Sequence, residues 1–263
     1  MDRVEVVCVT MGQSDFSKVA QMHITGDVVF GNQAASYWKE EYYDFGHTAK
    51  MITTETRGVG ANRNIALLHA TGDILLLADD DICYADGYEE GVRQAYDMHP
   101  DADMIIFSMD ITQNGHIIRQ VKNRDGRLRL YRALRYGTYV CSIRRDRQRW
   151  ANIWFSTEFG GGTRYGHGED TLFILDAFRK GLRVYTSSFC LGTCAKDVST
   201  CFHGFDEKYF YDQGVLYRKA FGLVAVPLCL RFCLRRYQAY KKELSFSQAF
   251  RIMLRGTYRK SED

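Results

Sequence analysis

Five short apolar runs, separated by segments with helical periodicity, limit the fold of this chain more than any other feature. The runs are VEVVCVT at 4–10, GDVVFG at 26–31, DILLLA at 73–78, DMIIFSMD at 103–110 and LRVYTSSF at 182–189. Several are apolar without interruption, which is typical of strands that are buried on both faces of a sheet. Strands that alternate with helices along the chain predict an α/β layer sandwich.

Helical patterns occupy the intervals between these runs. They are GANRNIALLHATG at 60–72, ADGYEEGVRQAYDMHP at 85–100 and EDTLFILDAFRKG at 169–181. The first ends at a glycine and the second before a proline, while the third opens with two acids and closes with two basic residues and a glycine. The segments HIIRQVK and TYVCSIRRD alternate in polarity, which predicts strands that need not run parallel to the others.

The size and composition are those of a folded protein. A chain of 263 residues with 46% apolar residues can form one large domain, and it is not a disordered protein. No run approaches the roughly 18 apolar residues of a membrane-spanning helix, and no signal-peptide pattern precedes the first run. The sequence therefore predicts a cytoplasmic protein whose eight cysteines are reduced. A zinc site built from Cys190, Cys194, Cys201 and His203 is an alternative, although the spacing fits no C-x2-C pattern.

The net charge of +3 conceals a division between two parts of the chain. Residues 214–260 contain eleven Lys or Arg against one acid, Glu243, whereas residues 1–213 have a net charge of −5. The segments LCLRFCLRRYQAYKKEL and SFSQAFRIMLRGTYRK place apolar and basic residues on different helical faces.

This division predicts a main domain at 1–213 and a basic amphipathic helical tail at 214–263. We expect the tail to bind the anionic inner face of the cell membrane, which would make the protein peripheral there. The alternative is that its helices pack on the main domain and leave a solvated basic face. Nucleic acid is not an expected partner, because no recognised binding motif accompanies the charge.

Three consecutive carboxylates, Asp79, Asp80 and Asp81, follow the apolar run at 73–78. Adjacent anions repel one another, so a cation or a hydrogen-bond donor is expected beside them. In an extended chain Asp79 and Asp81 project to the same side and Asp80 to the other. Ligands of open α/β sheets bind beyond the carboxyl ends of strands, and carboxylates there suit Mg²⁺ or Mn²⁺ with a phosphate compound. The alternative is a turn and helix-capping cluster.

Two further motifs suggest binding chemistry. The first is FGGGTRYGHGEDTLF at 159–173, in which several glycines precede Glu169 and Asp170 at the start of a helix. The glycines permit close approach of a ligand. A carboxylate at this position can act as a general base, or it can only cap the helix. The segment TRGVGANRN at 56–64 lacks the third glycine of a dinucleotide-binding loop. Its Arg57, Arg63 and Asn64 either contact a diphosphate or neutralise the aspartate cluster.

The order of two motifs along the chain resembles that of the family 2 glycosyltransferases of the GT-A fold. The motifs are RNIALLHATGDILLLADDD and, about ninety residues later, GHGEDTLFILDAFRKGLRVY. The resemblance covers about residues 1–213, where it implies a Rossmann-like three-layer sandwich with a mostly parallel sheet. The sequence also resembles a subgroup of this family that acts in bacterial capsular and surface polysaccharide assembly. The residues that carry this resemblance are Met11, Gln13, Asn32, Gln33 and the motif NIWFSTEFGGG. In place of the family's usual turn after the first strand, this chain has VTMGQSDFS.

The resemblance implies an inverting transfer of a sugar from a nucleotide diphosphate, by default a UDP-sugar, to a hydroxyl of a lipid-linked glycan. Asp79 and Asp81 would form a DxD pair that engages the nucleotide and a Mn²⁺ or Mg²⁺ ion, with Asp81 the stronger candidate for metal ligand. Asp170 would be the general base, and Glu169 would support acceptor binding. The residues expected at the nucleotide sugar are Met11, Gln13, Gln33, Arg57, Arg63, Asn64, Asp79, Asp80 and Gly161.

The aromatic and glycine-containing segment at 199–214 has the composition of a loop that closes over a donor, and its His203 is a further candidate metal ligand. Two other functions remain open at this point. One is metal-dependent nucleotidyl transfer, which would release pyrophosphate instead of a nucleoside diphosphate. The other is a non-catalytic module that binds nucleotide sugars or lipids.

Overall fold

The structure is a computed structural model that describes residues 1–44, 46–133, 135–195 and 204–258. Within these residues, eleven strands form one mixed sheet. The strands are β1 (Val4–Met11), β2 (Asp27–Gln33), β3 (Trp38–Asp44), β4 (His47–Thr54), β5 (Ile74–Asp79), β6 (Ile82–Tyr84), β7 (Met104–Gln113), β8 (His116–Val121), β9 (Gly126–Arg127), β10 (Cys141–Arg144) and β11 (Val184–Ala195).

Nine α-helices accompany the sheet in the described ranges. They are α1 (Ser17–Gln21), α2 (Val59–His69), α3 (Tyr88–Met98), α4 (Leu130–Ala133), α5 (Arg145–Trp150), α6 (Glu169–Arg179), α7 (Glu207–Phe221), α8 (Ala225–Tyr240) and α9 (Phe246–Thr257). Short 3-10 helices lie at Thr138–Val140 and Gly222–Val224.

The order of strands is β3-β4-β2-β1-β5-β10-β7-β11-β6, with β8 beside β7 and β9 beside β11. Strands β4, β2, β1 and β5 are parallel neighbours, and so are β7 and β11. Strand β10 runs antiparallel between β5 and β7. The carboxyl ends of β1, β2 and β5 therefore meet at one edge of the sheet, where a ligand site is expected.

The predicted α/β fold is confirmed, because the five apolar runs all form strands and the three helical patterns form α2, α3 and α6. All of β1 except its last residue is buried, as is all of β5 except its last residue. Side chains alternate between the faces of a strand, so continuous burial means that both faces of the sheet are covered. Helix α2 packs on β1, β2 and β4, and α3 packs on β1 and β11.

Other parts of the sheet differ from what the sequence indicated. The predicted strand TYVCSIRRD is a strand only at Cys141–Arg144, between a 3-10 helix and helix α5. Strands β3 and β4 were not predicted. Strand β3 lies at the sheet edge and has the polar sequence WKEEYYD, so it lacks the apolar signal of the inner strands.

Helices α7, α8 and α9 pack together around their own apolar core, which includes Phe210, Cys233 and Met253. A Cβ atom at Gly214 of α7 would collide with the backbone of α9, and one at Gly256 of α9 would collide with the backbone of α7. The two helices thus cross in backbone contact. The position between residues 213 and 214, where the sequence predicts a domain boundary, lies inside α7.

Two expectations for this region need correction. Residues 207–214 are the first half of α7 and not a loop that closes over a donor. The predicted apolar face of α9, with Phe246, Phe250 and Met253, packs within this helical unit and does not face solvent as a lipid-binding surface would. His203 lies outside the described residues.

None of the helices in the described ranges is both long and apolar enough to cross a membrane. No disulfide joins any two of the seven cysteines within these ranges.

Candidate functional site

The three consecutive aspartates at the end of β5 point to three different partners. Asp79 Oδ1 lies 2.5 Å from Nη2 of Arg63. Asp80 accepts a hydrogen bond of 2.6 Å from Thr10 Oγ1, and Lys18 Nζ lies 3.7 Å from the same carboxylate. The expected positive charge is therefore present for the first two anions.

Asp81 differs from its neighbours, because no Lys or Arg in the described part of the chain pairs with it. Its side chain accepts a thiol contact of 3.5 Å from Cys194. Burial, followed by the charge of Asp79, raises the pKa of Asp81 to about 6. A carboxylate with a raised pKa and no cationic partner among the described residues is a suitable ligand for a divalent metal.

The donor set fits Mg²⁺ or Mn²⁺ of the kind that binds through one or two carboxylates and completes its coordination with phosphate and water. Asp79 and Asp81 supply these hard oxygens, although Asp79 is shared with Arg63. Within the described ranges, no three His, Cys, Asp or Glu side chains are grouped as a metal cage.

Arg63 connects the aspartate cluster to the second acidic motif. It lies on α2, is almost fully buried, and reaches Asp170 Oδ1 at 3.0 Å and Glu169 Oε1 at 3.3 Å in addition to Asp79. Its guanidinium also lies 5.0 Å from the ring centre of Phe155. Burial alone would lower the pKa of Arg63, but the three carboxylates raise it, so the group is a permanent cation.

Glu169 and Asp170 begin α6, which places both carboxylates at a helix N-terminus. Asp170 Oδ1 accepts a hydrogen bond of 2.6 Å from Thr138 Oγ1 and a second one from Arg63. Burial and the neighbouring Asp170 raise the pKa of Glu169 above its usual value. The two acids thus differ in environment, and Asp170 is the more exposed of the pair.

The glycine-rich loop before α6 is attached to two helices. The carbonyl of Gly161 accepts from Val59 N at 3.0 Å, which caps α2. Asp212 of α7 is buried and accepts from Gly166 N at 2.9 Å, while Gln213 Oε1 lies 3.1 Å from His167 Nε2. These contacts fix the turn that precedes the two catalytic candidates.

The remaining candidates lie around this edge with different surroundings. Met11 is exposed at the end of β1, and Gln33 ends β2.

Two hydrogen bonds join the backbone of Gln13 to the buried side chain of Asn32: Gln13 N donates to Asn32 Oδ1 at 3.1 Å, and Asn32 Nδ2 donates to Gln13 O at 2.8 Å. Arg57 is exposed before α2. The side chain of Asn64 makes two hydrogen bonds with the backbone of Phe155, so it braces that segment; contact of these residues with a nucleotide stays a prediction.

Several residues of the site were not identified from the sequence. Thr10, Lys18, Thr138 and Cys194 each contact one of the site carboxylates. They lie far from the acidic motifs along the chain, and neither the VTMGQSDFS segment, which includes Thr10, nor the alternative zinc site, which includes Cys194, linked them to these carboxylates. Only the folded sheet brings them to the same edge.

Comparison with known proteins gives a family and a fold. The sequence model described as Glycosyl transferase family 2 matches residues 37–184. Among the curated proteins, none matches the chain. The crystal structure of S. aureus TarS 1-349 in complex with UDP-GlcNAc has 16% sequence identity and a TM-score of 0.68, over 97% of this chain and 81% of that chain. The structure of the same TarS fragment in complex with UDP gives a TM-score of 0.65 with the same identity and coverage.

The family match covers more than half of the chain and includes both acidic motifs. The similarity to the TarS structures concerns the fold, and it agrees with the mixed α/β sheet described above. Together with the arrangement of Arg63 between Asp79 and Asp170, these findings show that the chain belongs to glycosyl transferase family 2 and has a GT-A, Rossmann-like fold.

Proposed function

We propose that this protein is an inverting glycosyltransferase that moves a sugar from a nucleotide diphosphate to a hydroxyl of a lipid-linked glycan. The observation that carries the proposal is the position of Arg63, which brings a metal-type carboxylate pair and a candidate base to the same sheet edge. A UDP-sugar is the proposed donor, supported by the UDP and UDP-GlcNAc bound to the similar TarS structures. The proposed setting is assembly of a capsular or surface polysaccharide.

In this mechanism Asp170 takes the proton from the acceptor hydroxyl as its oxygen attacks the anomeric carbon. Thr138 and Arg63 both donate to Asp170 Oδ1, which holds that oxygen and leaves Oδ2 for the acceptor. Glu169, whose pKa is raised by burial and by Asp170, would bind and orient a second group of the acceptor.

Asp79 and Asp81 would hold a Mn²⁺ or Mg²⁺ ion, which supplies charge stabilisation for the departing diphosphate. Asp80 is directed to Thr10 and Lys18 instead, so in this proposal it fixes the turn between β5 and β6. Arg63 keeps the two acidic motifs together without titrating, because its pKa is raised well above neutrality by three carboxylates.

The proposed location is the inner face of the membrane, and support comes from α8. The helix directs Cys229, Cys233 and Tyr240 into the core of the helical unit, while Leu230 and Leu234 remain exposed, the latter at 62%. The exposed residues Leu223, Pro227, Leu230, Leu234 and Tyr237 follow one another at spacings of three and four residues. Arg231 and Arg235 flank this stripe, as in helices that lie on anionic membranes.

Calorimetric titration of UDP, GDP and CDP, each with and without Mn²⁺, tests the donor and metal assignments. We expect one nucleoside diphosphate to bind only with metal, and the binding to be lost in Asp81→Ala. Asp97→Ala, which removes an exposed acid from α3, is the matched control and should bind like wild type. Metal-independent binding, or none, would contradict the proposed use of Asp79 and Asp81.

A further inference from the structure

The segment 116–135, which contains β8, β9 and α4, is the most basic part of the main domain and has no role in the mechanism above. It contains seven Lys or Arg against one acid, Asp125, although residues 1–213 as a whole have a net charge of −5. All seven basic side chains are exposed. We call these residues the basic segment; position 134 within it is not described. A cationic surface on an acidic domain indicates an anionic partner.

Within the described residues, the positive charges of the basic segment are not compensated by carboxylates. None of its seven cations forms an ion pair with a carboxylate of the described ranges, and the contacts that they do make are with aromatic rings and a phenol. Asp125 is occupied, because it accepts from the backbone and hydroxyl of Ser188 at 2.9 and 2.7 Å. By contrast, Arg144 and Arg183, which lie outside the segment, are paired with aspartates.

The basic segment is fixed to the sheet. The side chain of Asn123 donates to the carbonyls of Ile106 and Phe107 and accepts from the hydroxyl of the buried Tyr136 at 2.6 Å. The hydroxyl of Ser108 accepts from Asn123 N at 3.1 Å. These hydrogen bonds anchor the basic segment to the sheet, so its cations lie on a fixed surface and not on a loose loop.

The basic segment also borders the catalytic carboxylates. Helix α4 packs against α6, whose first two residues are Glu169 and Asp170. Thr138, three positions after Arg135, donates to Asp170. Burial raises the pKa of Tyr139, the next residue, while the charge of Arg119 lowers it and that of Asp170 raises it, so this hydroxyl is influenced by both the segment and the site.

We propose that the basic segment binds phosphate groups of the acceptor, which rests on the glycosyltransferase function proposed above. The diphosphate of the donor is assigned to the aspartate edge, so a second phosphate-binding surface beside the base belongs to the other substrate. Exposed Leu130 and Tyr131 lie among the cations and can contact sugar rings. The phosphate can come from a lipid diphosphate or from phosphodiesters within the glycan, and the chemistry that recognises either is the same.

The test compares two variants from which equal charge has been removed. The first, Lys122→Ser/Arg129→Ser/Arg132→Ser/Arg135→Ser, neutralises the basic segment. The control, Arg231→Ser/Arg235→Ser/Arg236→Ser/Lys242→Ser, neutralises four exposed cations of the helical tail. The probes are inorganic polyphosphate, inorganic pyrophosphate, vesicles that contain phosphatidylglycerol, and UDP with Mn²⁺.

We expect polyphosphate affinity to fall at least about tenfold in the first variant and less than about twofold in the control, with a weaker salt dependence in the first. A parallel loss of pyrophosphate binding identifies a lipid diphosphate, and its retention identifies phosphodiesters. Equal losses in both variants, or a loss of vesicle binding alone, would overturn the proposal. UDP binding should be unchanged in both variants. If the wild-type protein does not bind UDP, the donor assignment is wrong, but the role proposed for the basic segment is not affected.

Discussion

Oδ1 of Asp170 accepts two hydrogen bonds, one of 3.0 Å from the guanidinium of Arg63 and one of 2.6 Å from the hydroxyl of Thr138. The same guanidinium contacts Asp79 at the end of β5. A single buried cation therefore sets the separation between the proposed metal edge and the proposed base. Changes at Arg63 should affect stability and catalysis together.

Arg63→Met should destabilise the protein by about 3 kcal/mol, because it leaves three partly buried carboxylates without their cation. Chemical denaturation at neutral pH measures this change. Arg57→Met removes an exposed arginine just before the same helix and should leave the free energy of unfolding within about 0.5 kcal/mol of wild type. An unchanged stability of Arg63→Met would mean that the three contacts contribute nothing.

Asp170→Asn should lower kcat for sugar transfer by about 10²–10⁴-fold, because an amide cannot take the proton from the hydroxyl of the acceptor. Affinity for the nucleoside diphosphate should stay close to wild type. The control is Asp176→Asn on the same helix, which removes a half-exposed acid paired with Arg179 and should leave kcat unchanged. Full activity of Asp170→Asn would exclude this residue as the base.

The stability of the loop before α6 should depend on pH through His167, which stacks on Tyr209 and contacts Gln213. Burial lowers the pKa of His167 below its usual 6.5. As pH falls from about 7.5 to about 5.5, the unfolded chain takes up a proton that the folded chain resists, so the folded protein loses stability. His167→Phe keeps the stacking and removes the titration, so urea denaturation should show a smaller loss over that range. Equal losses in both proteins would contradict this prediction.

The crossing of α7 and α9 should tolerate no side chain at Gly214. Gly214→Val places methyl groups against the backbone of α9 and should destabilise the protein by at least about 1–3 kcal/mol. Thermal unfolding measures the effect, with Gln238→Ala on the exposed side of α8 as a neutral control. A melting temperature equal to wild type would show that the two helices can separate at little cost.

Membrane binding should depend on the apolar stripe of α8. Leu230→Ser/Leu234→Ser removes two exposed leucines without touching the core, and we expect pelleting with anionic vesicles to weaken at least about tenfold. Leu68→Ser, at an exposed position on α2, is the control. Sedimentation that is the same with and without anionic lipid would rule out the proposed surface.

The inner strands and the helices α2, α3 and α6 could be predicted because their periodicity and end residues are local signals. The positions of the two acidic motifs at the ends of elements followed from the same signals. The partner of each carboxylate could not be predicted, because the contacts of Arg63 require β5, α2 and α6 to converge. For Arg63 the sequence left neutralisation of the aspartates and contact with a diphosphate equally open, and the structure shows the first.

The basic helices illustrate a different limit. Their amphipathic pattern was correct, but a pattern cannot tell whether an apolar face contacts lipid or another helix. In α9 that face packs on its neighbours, while α8 buries its two cysteines and exposes its leucines. The glycines at 214 and 256 were the only local signs of a close helix crossing.

Helix α7 has a consequence for how this enzyme can be divided. Its Asp212 and Gln213 hold the turn before the proposed catalytic pair, and the next residue, Gly214, lies against the backbone of α9. The C-terminal region is therefore not an interchangeable module. A chimera that exchanges it with a relative's tail must inherit the whole of α7 and a matching glycine at the crossing, or the exchange will misplace the loop that precedes Glu169.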